Sequence, residues 1–407
     1  MSLPTNSAQI LSVDRAAVAR SASAKLRALA PQFERTPALI GFDGFIDSII
    51  RPVATRHDMS PHGFTRQATI PEFAARCGAA AGKSTNIELV VEEQRFGGNG
   101  PLMASAVGRV GLPVTYVGAV GSPGNASQLH PIFRPFADRC REVVPVAAPG
   151  LTDALEFDDG KIMLGKPASL QEVSWTGLQH VLGRERLIAM FDRARLIGIV
   201  NWVMMGAVGS IWEGLTREVF PALSKADRRV FIDLCDPAKR TSTDIAHAME
   251  QIRALDRVVP VTLGLNLSEA EQIARVLGVD AFAGSANRSE GQAVRGAAIA
   301  IREKLGIACV VVHPREGAGA AQRVGGVGNG VEAAWIDGPF ISHPKLSTGA
   351  GDHFNGGFAL AQSLGLSLPE CLATGVAVSG SYVRDAGSPT LERLTEFLGD
   401  LPSPERD

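Results

Sequence analysis

The chain has 407 residues, of which 45% are hydrophobic and 20% are charged, and its formal net charge is −2. This balance of charge argues against a nucleic-acid-binding protein, which normally carries a basic excess, and the apolar content argues against a disordered chain. A globular chain of this length buries roughly three-quarters of its unfolded surface, so a large core needs no disulfide bonds.

Features of the sequence also indicate where the protein is found. Five cysteines lie far apart with no paired spacing, which is typical of reduced thiols and not of a disulfide or zinc framework. Asp14 and Arg15 stand where a signal peptide would need its apolar stretch. The most apolar uncharged run, 196–212, is too short for a membrane span. We therefore expect a cytoplasmic protein that has neither a membrane nor a nucleic-acid partner.

Apolar strand patterns alternate with helical patterns along the whole chain. The predicted strands are 38–42, 114–120, 196–202, 229–235, 258–265 and 307–313. The predicted helices are 210–226, 242–256, 268–278, 289–306, 349–365, 368–385 and 391–399. The strand runs are almost continuously apolar, as expected for parallel strands that are covered on both faces. The alternation predicts an α/β fold with a doubly wound, mostly parallel sheet and helices on both faces.

Two stretches interrupt this alternation. Between residues 47 and 97 lie polar loops, a helical pattern near 71–80 and a strand at 86–94. Residues 152–164 have the pattern of a hairpin that turns at Asp159-Gly160. We interpret both as half-buried antiparallel pieces of a small β lid, formed by parts of 44–96 and 150–166. No repeat or linker divides the chain, so residues 1–407 are expected to form one domain.

The strongest motif begins at Gly349. Small residues at Gly349, Ala350 and Gly351 allow backbone amides to approach a ligand, and the helix that starts there makes an anion site. Asp352 within the same turn fits a general base that takes a proton from a substrate hydroxyl while the amides hold the charge of a transferring phosphoryl group. The alternative is that Asp352 only complements the helix N-terminus and that the glycines only serve packing.

Three weaker motifs follow predicted strands, at the edge where open α/β sheets bind ligands. Asp43 and Asp47 follow the first strand and can accept hydrogen bonds from sugar hydroxyls. Gly97 and Gly98 would expose backbone and the amide of Asn99. An ordinary turn or close packing explains either pattern equally well.

The third of these motifs starts a helix after a strand. Asn266 is followed three residues later by Glu269, in a position to bind polar groups beyond the strand end. The alternative interpretation is an ordinary N-terminal cap.

Taken in order, these motifs resemble those of the ribokinase-like (PfkB) carbohydrate kinases over residues 38–390. Gly349 to Asp352 match the GAGD motif of that family, and Gly97-Gly98 resembles its sugar-side di-glycine. The spacing from Asn266 to Glu269 resembles its N-x-x-E element near magnesium and phosphates. Residues 236–240 look like its D-P-N-x-R stretch, and residues 375–390 look like the segment beside the nucleotide base.

This resemblance implies transfer of the γ-phosphoryl group of ATP, with Mg²⁺, to a hydroxyl of a sugar or sugar-like substrate. Asp352 would be the base, and Gly349, Ala350 and Gly351 would form the anion hole. The implied sugar-binding residues are Asp43, Asp47, Gly97, Gly98 and Asn99. The implied nucleotide-side residues are Asn266, Arg315, Gly317, Thr348, Asn355 and Ser379, and Glu269 would support the metal. The lid would close over the sugar, and its exposed edge would allow a homodimer.

Three positions depart from the family pattern. Leu346 stands where the family has a carboxylate before GAGD, Leu102 stands where it has an Asn, and Arg315 replaces a Gly. These departures leave open a non-catalytic sugar- or nucleotide-binding homologue. A nucleoside kinase or an ADP-dependent sugar kinase is also open, since the Asn-x-x-Glu and Gly-x-Gly-Asp elements suit ADP-dependent relatives as well. His313 and His353 have no ligand-like spacing, which favours structural roles.

Overall fold

The computed structural model describes residues 8–282, 289–324 and 330–405. The strands are β1 Gln9–Ile10, β2 Ala38–Phe42, β3 Phe45–Arg56, β4 Phe64–Arg66, β5 Leu89–Gly97, β6 Val114–Gly118, β7 Gly121–Ser122, β8 Asn125–Leu129, β9 Glu142–Pro145, β10 Gly150–Phe157, β11 Gly160–Lys166, β12 Leu196–Val200, β13 Arg229–Asp233, β14 Val261–Leu265, β15 Cys309–Val312, β16 Gly317–Val324 and β17 Gly330–Asp337. The α-helices are α1 Arg15–Leu29, α2 Ile70–Gly78, α3 Asn99–Val110, α4 Arg134–Ala137, α5 Trp175–Leu182, α6 Arg184–Arg193, α7 Val208–Gly214, α8 Ser242–Asp256, α9 Leu267–Leu277, α10 Glu290–Leu305, α11 Ala350–Ser363, α12 Leu368–Asp385 and α13 Leu391–Gly399.

A ten-stranded main sheet runs in the order β1-β17-β16-β15-β14-β13-β12-β2-β6-β9. The pairs from β15 through β14, β13, β12, β2 and β6 to β9 are parallel, whereas β16 is antiparallel to both of its neighbours. Helices cover both faces, with α1, α3 and α11 to α13 on one side and α5 to α10 on the other. The strands β2, β12 and β14 are buried throughout because they are apolar on both faces. The predicted α/β architecture is thus confirmed.

Two predicted features of the main layer differ from the structure. The helix expected over 210–226 ends at Gly214, followed by a π-helical turn at Leu215–Val219 and a short 3₁₀ helix at Phe220–Ala222. Pro221 lacks the amide that would continue the helical hydrogen bonds, so the helix cannot extend through it. The antiparallel pair β16 and β17 was not predicted, because the Gly- and Ala-rich sequence of β16 shows no clear alternation.

A separate small sheet, formed by β3, β4, β5, β10 and β11, stands beside the main sheet. Its longest strand, β3, occupies a stretch expected to be polar loop, and that expectation is wrong. Polar side chains such as Asp47 and Ser48 interrupt the apolar pattern of β3, which hides the strand from periodicity. The pairing of β3 with β10 is parallel and not antiparallel, and the hairpin between β10 and β11 turns at Asp158-Asp159, one residue earlier than predicted.

The small sheet has its own minor core. Ile50, Leu155 and Phe157 are buried under α2, where the Phe73 ring lies 5.5 Å from that of Phe157 between centroids. Only Asp43 and Gly44 separate β2 of the main sheet from β3 of the small sheet. The small sheet is therefore joined directly to the edge of the main sheet where its parallel strands end.

The described residues contain no disulfide bond. All five cysteines are unpaired, and Cys309 and Cys371 are buried in the core. Within the described ranges, no helix combines the length and the apolarity needed to cross a bilayer.

Candidate active site

The first turn of α11 carries the GAGD sequence with a fixed backbone. Gly349 precedes the helix with φ 88°, in the left-handed region that favours glycine. Three successive carbonyl oxygens in this turn accept side-chain hydrogen bonds. These bonds run from Tyr382 Oη to Thr348 O at 2.8 Å, from His353 Nδ1 to Gly349 O at 2.8 Å and from Ser379 Oγ to Ala350 O at 2.9 Å. Since a trans peptide is planar, each tied carbonyl directs the following amide to the opposite side.

The amides that the first turn of α11 leaves free are not the predicted three. Gly351 and Asp352 lie in the first helical turn, where no intrahelical carbonyl is available to their N–H groups. The Ala350 amide instead donates to the Ser347 carbonyl at 3.2 Å, so it is partly engaged in the turn. The positive end of the helix dipole adds to this site, which is suited to an anion.

His353 fastens this turn as a neutral ring. Because a carbonyl can only accept, Nδ1 carries the proton toward Gly349, and Nε2 accepts from Ser388 Oγ at 2.8 Å. The ring stacks on Tyr382 with a centroid distance of 3.5 Å. Burial lowers the pKa of His353 to about 4, so the ring is uncharged at neutral pH. The structure thus gives His353 a structural role.

Asp352 is 7% exposed and points across to another motif. Its Oδ1 accepts a hydrogen bond from Asn99 Nδ2 at 2.8 Å. Burial raises the pKa of Asp352 well above its usual value, and the nearby carboxyl groups of Asp233, Asp43 and Glu269 add to the rise. A carboxylate in this setting has a strong tendency to take up a proton, which is the property of a general base.

Asp233 is a site residue that was not predicted, because the predicted strand ran on to residue 235 and included it. It is the last residue of β13, and its Oδ2 accepts from Asn355 Nδ2 at 2.6 Å. Burial and the charge of Glu269 raise the pKa of Asp233 to about 8. Asn355 is itself fully buried and lies outside the lining of the large cavity described next, contrary to its expected nucleotide-side position. Polar residues that end parallel strands were the signal that could have found Asp233.

A large cavity of about 420 Å³ lies between the start of α11, α12 and the segment that follows β17. Its walls include six of the predicted residues, namely Asn266, Arg315, Gly317, Ala350, Gly351 and Ser379. The Arg315 guanidinium packs 5.1 Å from the ring centroid of Phe340, another wall residue that was not predicted. His313 also lines the cavity, and burial lowers its pKa to about 4.

Asn266 and Glu269 form a reciprocal cap at the start of α9. The Asn266 side chain accepts from the Glu269 amide at 2.9 Å, and Glu269 Oε2 accepts from the Asn266 amide at 2.8 Å. Glu269 Oε1 accepts from the Asp236 amide at 2.9 Å. Burial raises the pKa of Glu269. The capping interpretation therefore describes this geometry, and the cap also fixes a carboxylate beside Asp233.

The side-chain oxygens of Asn266 and Glu269 fit a magnesium ion whose other ligands are waters and phosphate oxygens. Among the described residues, no three His, Cys, Asp or Glu side chains are grouped to hold a metal ion. Mg²⁺ usually keeps several waters and binds one or two carboxylates together with substrate phosphates. Asn266 lines the large cavity, and its capping partner Glu269 is a buried carboxylate, which suits an ion held mainly by water and phosphates.

A small cavity of about 300 Å³ lies on the other side of the same turn. Asp47, Gly97 and Thr348 line it together with Leu102 and Leu346, the off-pattern residues. Thr348 was expected on the nucleotide side but faces this cavity. The small sheet reaches it here, because Lys161 Nζ in β11 donates to Thr348 Oγ1 at 3.0 Å.

Asp43, a predicted sugar ligand, is fully buried instead of lining this cavity. Its carboxylate accepts from the Asn99 amide at 2.9 Å, the Gly100 amide at 2.7 Å and Asn201 Nδ2 at 2.6 Å. Burial raises its pKa to about 6. Gly98, with φ 103°, begins the turn that places these amides. Asn201 was not predicted as a site residue, because it lies within an apolar run.

The chain is similar to known proteins over most of its length. A family model described as prokaryotic ketohexokinase matches residues 13–401. A curated relative, the ketohexokinase of Haloferax volcanii, is 32% identical over 384 residues, which cover 93% of this chain and 95% of the relative.

Two solved structures show the same fold. A fructokinase with bound ATP from Xylella fastidiosa has a TM-score of 0.59 at 17% identity, with 90% of this chain and 99% of that chain covered. A ribokinase in complex with ADP from Cryptococcus neoformans var. grubii has a TM-score of 0.57 at 17% identity, with 89% and 99% covered.

The two glycines of the turn offer a matched test of its backbone. A Cβ at Gly349 would lie 2.9 Å from Leu102 Cδ1 and 3.1 Å from Tyr382 Oη, whereas a Cβ at Gly351 would lie 3.5 Å from His313 Cε1. We expect Gly349→Ala to lower the free energy of unfolding by about 1–2 kcal/mol, because an alanine is strained at this positive φ. We expect Gly351→Ala to unfold like the wild type in the same urea titration. Equal stability of the two variants would contradict this account of the turn.

Proposed function

The chain belongs to the prokaryotic ketohexokinase family, and from this we propose that the acceptor of its phosphoryl group is a ketohexose such as fructose. Family membership confirms the resemblance to ribokinase-like carbohydrate kinases. The protein is a carbohydrate kinase, which catalyses ATP-dependent phosphoryl transfer to a sugar hydroxyl. A non-catalytic binding homologue is therefore the weaker alternative.

The observation that carries the site assignment is the position of the α11 turn between the two cavities. Ser347, Ala350 and Gly351 line the large cavity, whereas Thr348 and His353 line the small one. We propose that the nucleotide occupies the large cavity and the sugar the small one. In this proposal the phosphoryl group passes from the large cavity to the small one, and the free amides of the first turn of α11 face it on the way.

We propose that Asp352 is the general base of this transfer. Its carboxylate takes the proton of the attacking hydroxyl as the new O–P bond forms and the bond to the leaving phosphate oxygen breaks. The free amides of Gly351 and Asp352 stabilise the negative charge on the transferring group. Mg²⁺, when bound, neutralises phosphate charge, and Glu269 and Asn266 would hold it through water.

We propose that Asp47 and Gly97 bind the sugar, together with Arg95. Asp47 and Arg95 both line the small cavity and present an acceptor and a donor to hydroxyl groups. The small sheet serves as the lid in this proposal, since Lys161 already contacts Thr348 of the catalytic turn. Exclusion of water by such a lid protects the phosphoryl group from hydrolysis.

The outer face of the small sheet supports a homodimer. Val91 in β5 and Leu151 in β10 lie opposite Ile50 and Ile46 of β3, so they share one face of the sheet. Both are about half exposed, as is Leu164 on the same face in β11. The helix α2 covers only part of this face, and half-exposed apolar residues on the remainder favour association with a second copy.

Replacing one exposed apolar residue of this face by an acidic residue tests the dimer. We expect Leu164→Asp to convert a dimer into a monomer in light scattering after size exclusion, because a carboxylate would be buried without a partner. Val258→Asp, at an exposed apolar residue outside the small sheet, is the matched control and should remain dimeric. A monomeric wild type at micromolar concentration would contradict the proposal.

The base is tested by Asp352→Asn. We expect kcat to fall by at least about 10²-fold, since positioned proton transfer is lost. ATP should still raise the melting temperature of the variant, because Asp352 does not line the large cavity. Asp400→Asn, at an exposed position after α13, is the control. A rate near that of the wild type would remove Asp352 from the mechanism.

The acceptor and the donor are tested by a panel of substrates. We expect initial rates with fructose and ATP to exceed those with glucose, ribose or adenosine by at least about tenfold, since unpaired polar groups in the site penalise a wrong sugar. ADP should replace ATP poorly. A preference for adenosine would indicate a nucleoside kinase, and a preference for ADP would indicate an ADP-dependent enzyme.

A further inference from the structure

One hydrogen bond joins the start of α3 to the first turn of α11. Asn99 is the first residue of α3, and its Nδ2 lies 2.8 Å from Asp352 Oδ1 in the first turn of α11. Among the described residues, this is the one hydrogen bond that the Asp352 carboxylate accepts from a side chain. The Asn99 amide is therefore engaged with the base and is not free for a sugar.

Asn99 is held in place from behind. Its backbone amide and that of Gly100 each donate to one oxygen of Asp43, which is fully buried. Asn201 Nδ2 donates to the same carboxylate at 2.6 Å. A Cβ at Gly98 would lie 3.1 Å from Asp43 Oδ2, so even the residue before Asn99 packs closely on this carboxylate. Both carboxylate oxygens of Asp43 thus fix the turn from which the Asn99 side chain extends.

From this chain of contacts we infer that Asn99, held by Asp43 and Asn201, is a positioning residue that aims the Asp352 carboxylate at the acceptor hydroxyl. The inference rests on the proposed function, in which Asp352 is the base. The amide occupies Oδ1 and leaves Oδ2 as the oxygen that receives the proton. Asp43 and Asn99 then act through Asp352 and do not bind the sugar.

The charges around Asp352 explain why such a donor is needed. The titratable groups that face it are Asp43 after β2, Asp233 and Cys235 at the end of β13, Glu269 in α9, Tyr382 in α12 and His353 in its own helix. His353 is neutral, and Lys161 of the small sheet bonds to Thr348. The carboxyl groups oppose ionisation of Asp352, whereas the Asn99 hydrogen bond lowers its pKa. Asn99 thus favours the anionic form that can accept a proton.

The test replaces Asn99 by Leu, which has a similar size and no donor. We expect the acid limb of the pH profile of kcat to move by about one unit to higher pH, because a base whose pKa rises is protonated at higher pH. At pH 7, kcat should fall about tenfold, and the KM for fructose should change less than about threefold. Asn99→Ala gives the same comparison should the leucine variant fail to fold. Asn125→Leu, at an exposed position in β8, is the matched control.

Two results separate this inference from the proposed function. A rise of more than about tenfold in the KM for fructose with an unmoved acid limb would make Asn99 a sugar ligand and overturn the inference alone. A fully active Asp352→Asn enzyme would overturn the assignment of the base, and the inference would fall with it.

Discussion

The orientation of a few peptide groups at the start of α11 is the constraint on which the rest of the site depends. Donors from His353, Ser379 and Tyr382 hold three consecutive carbonyl oxygens in place. Because each peptide is planar, the amide that follows each of these carbonyls is fixed as well, so charge can be held without any rearrangement during the reaction. The two cavities lie on either side of this turn, and the carboxyl groups of Asp352 and Glu269 lie close to it.

Much of the fold could be predicted from the sequence, because buried parallel strands leave an almost continuous apolar signal. β2 has the bounds expected for it, as do α12 and α13. β3 could not be found this way, since its polar residues face the site and break the alternation. A strand whose sequence serves a ligand as well as a core is hard to recognise by periodicity alone.

The candidate site was predictable in its residues and less so in their partners. Asp352 and the small residues before it are recognisable from local chemistry. The roles of Asp43 and Asn99 are not, because the first is satisfied by backbone amides and the second by a carboxylate 253 positions away. Asp233 and Asn201 are visible only once the strand ends are brought to one edge. Contacts between distant segments decide these roles, and a single sequence does not record them.

The connection between β2 and β3 has a mechanical consequence. It consists of Asp43 and Gly44 alone. A Cβ on Gly44 would lie 2.1 Å from the Ala119 carbonyl oxygen, so this connection is tightly packed. The same Asp43 anchors the helix start that carries Asn99. A movement of the small sheet about this connection would therefore also displace the start of α3, whose Asn99 contacts Asp352. Closure of the proposed lid over the sugar and alignment of the base would then be coupled through Asp43.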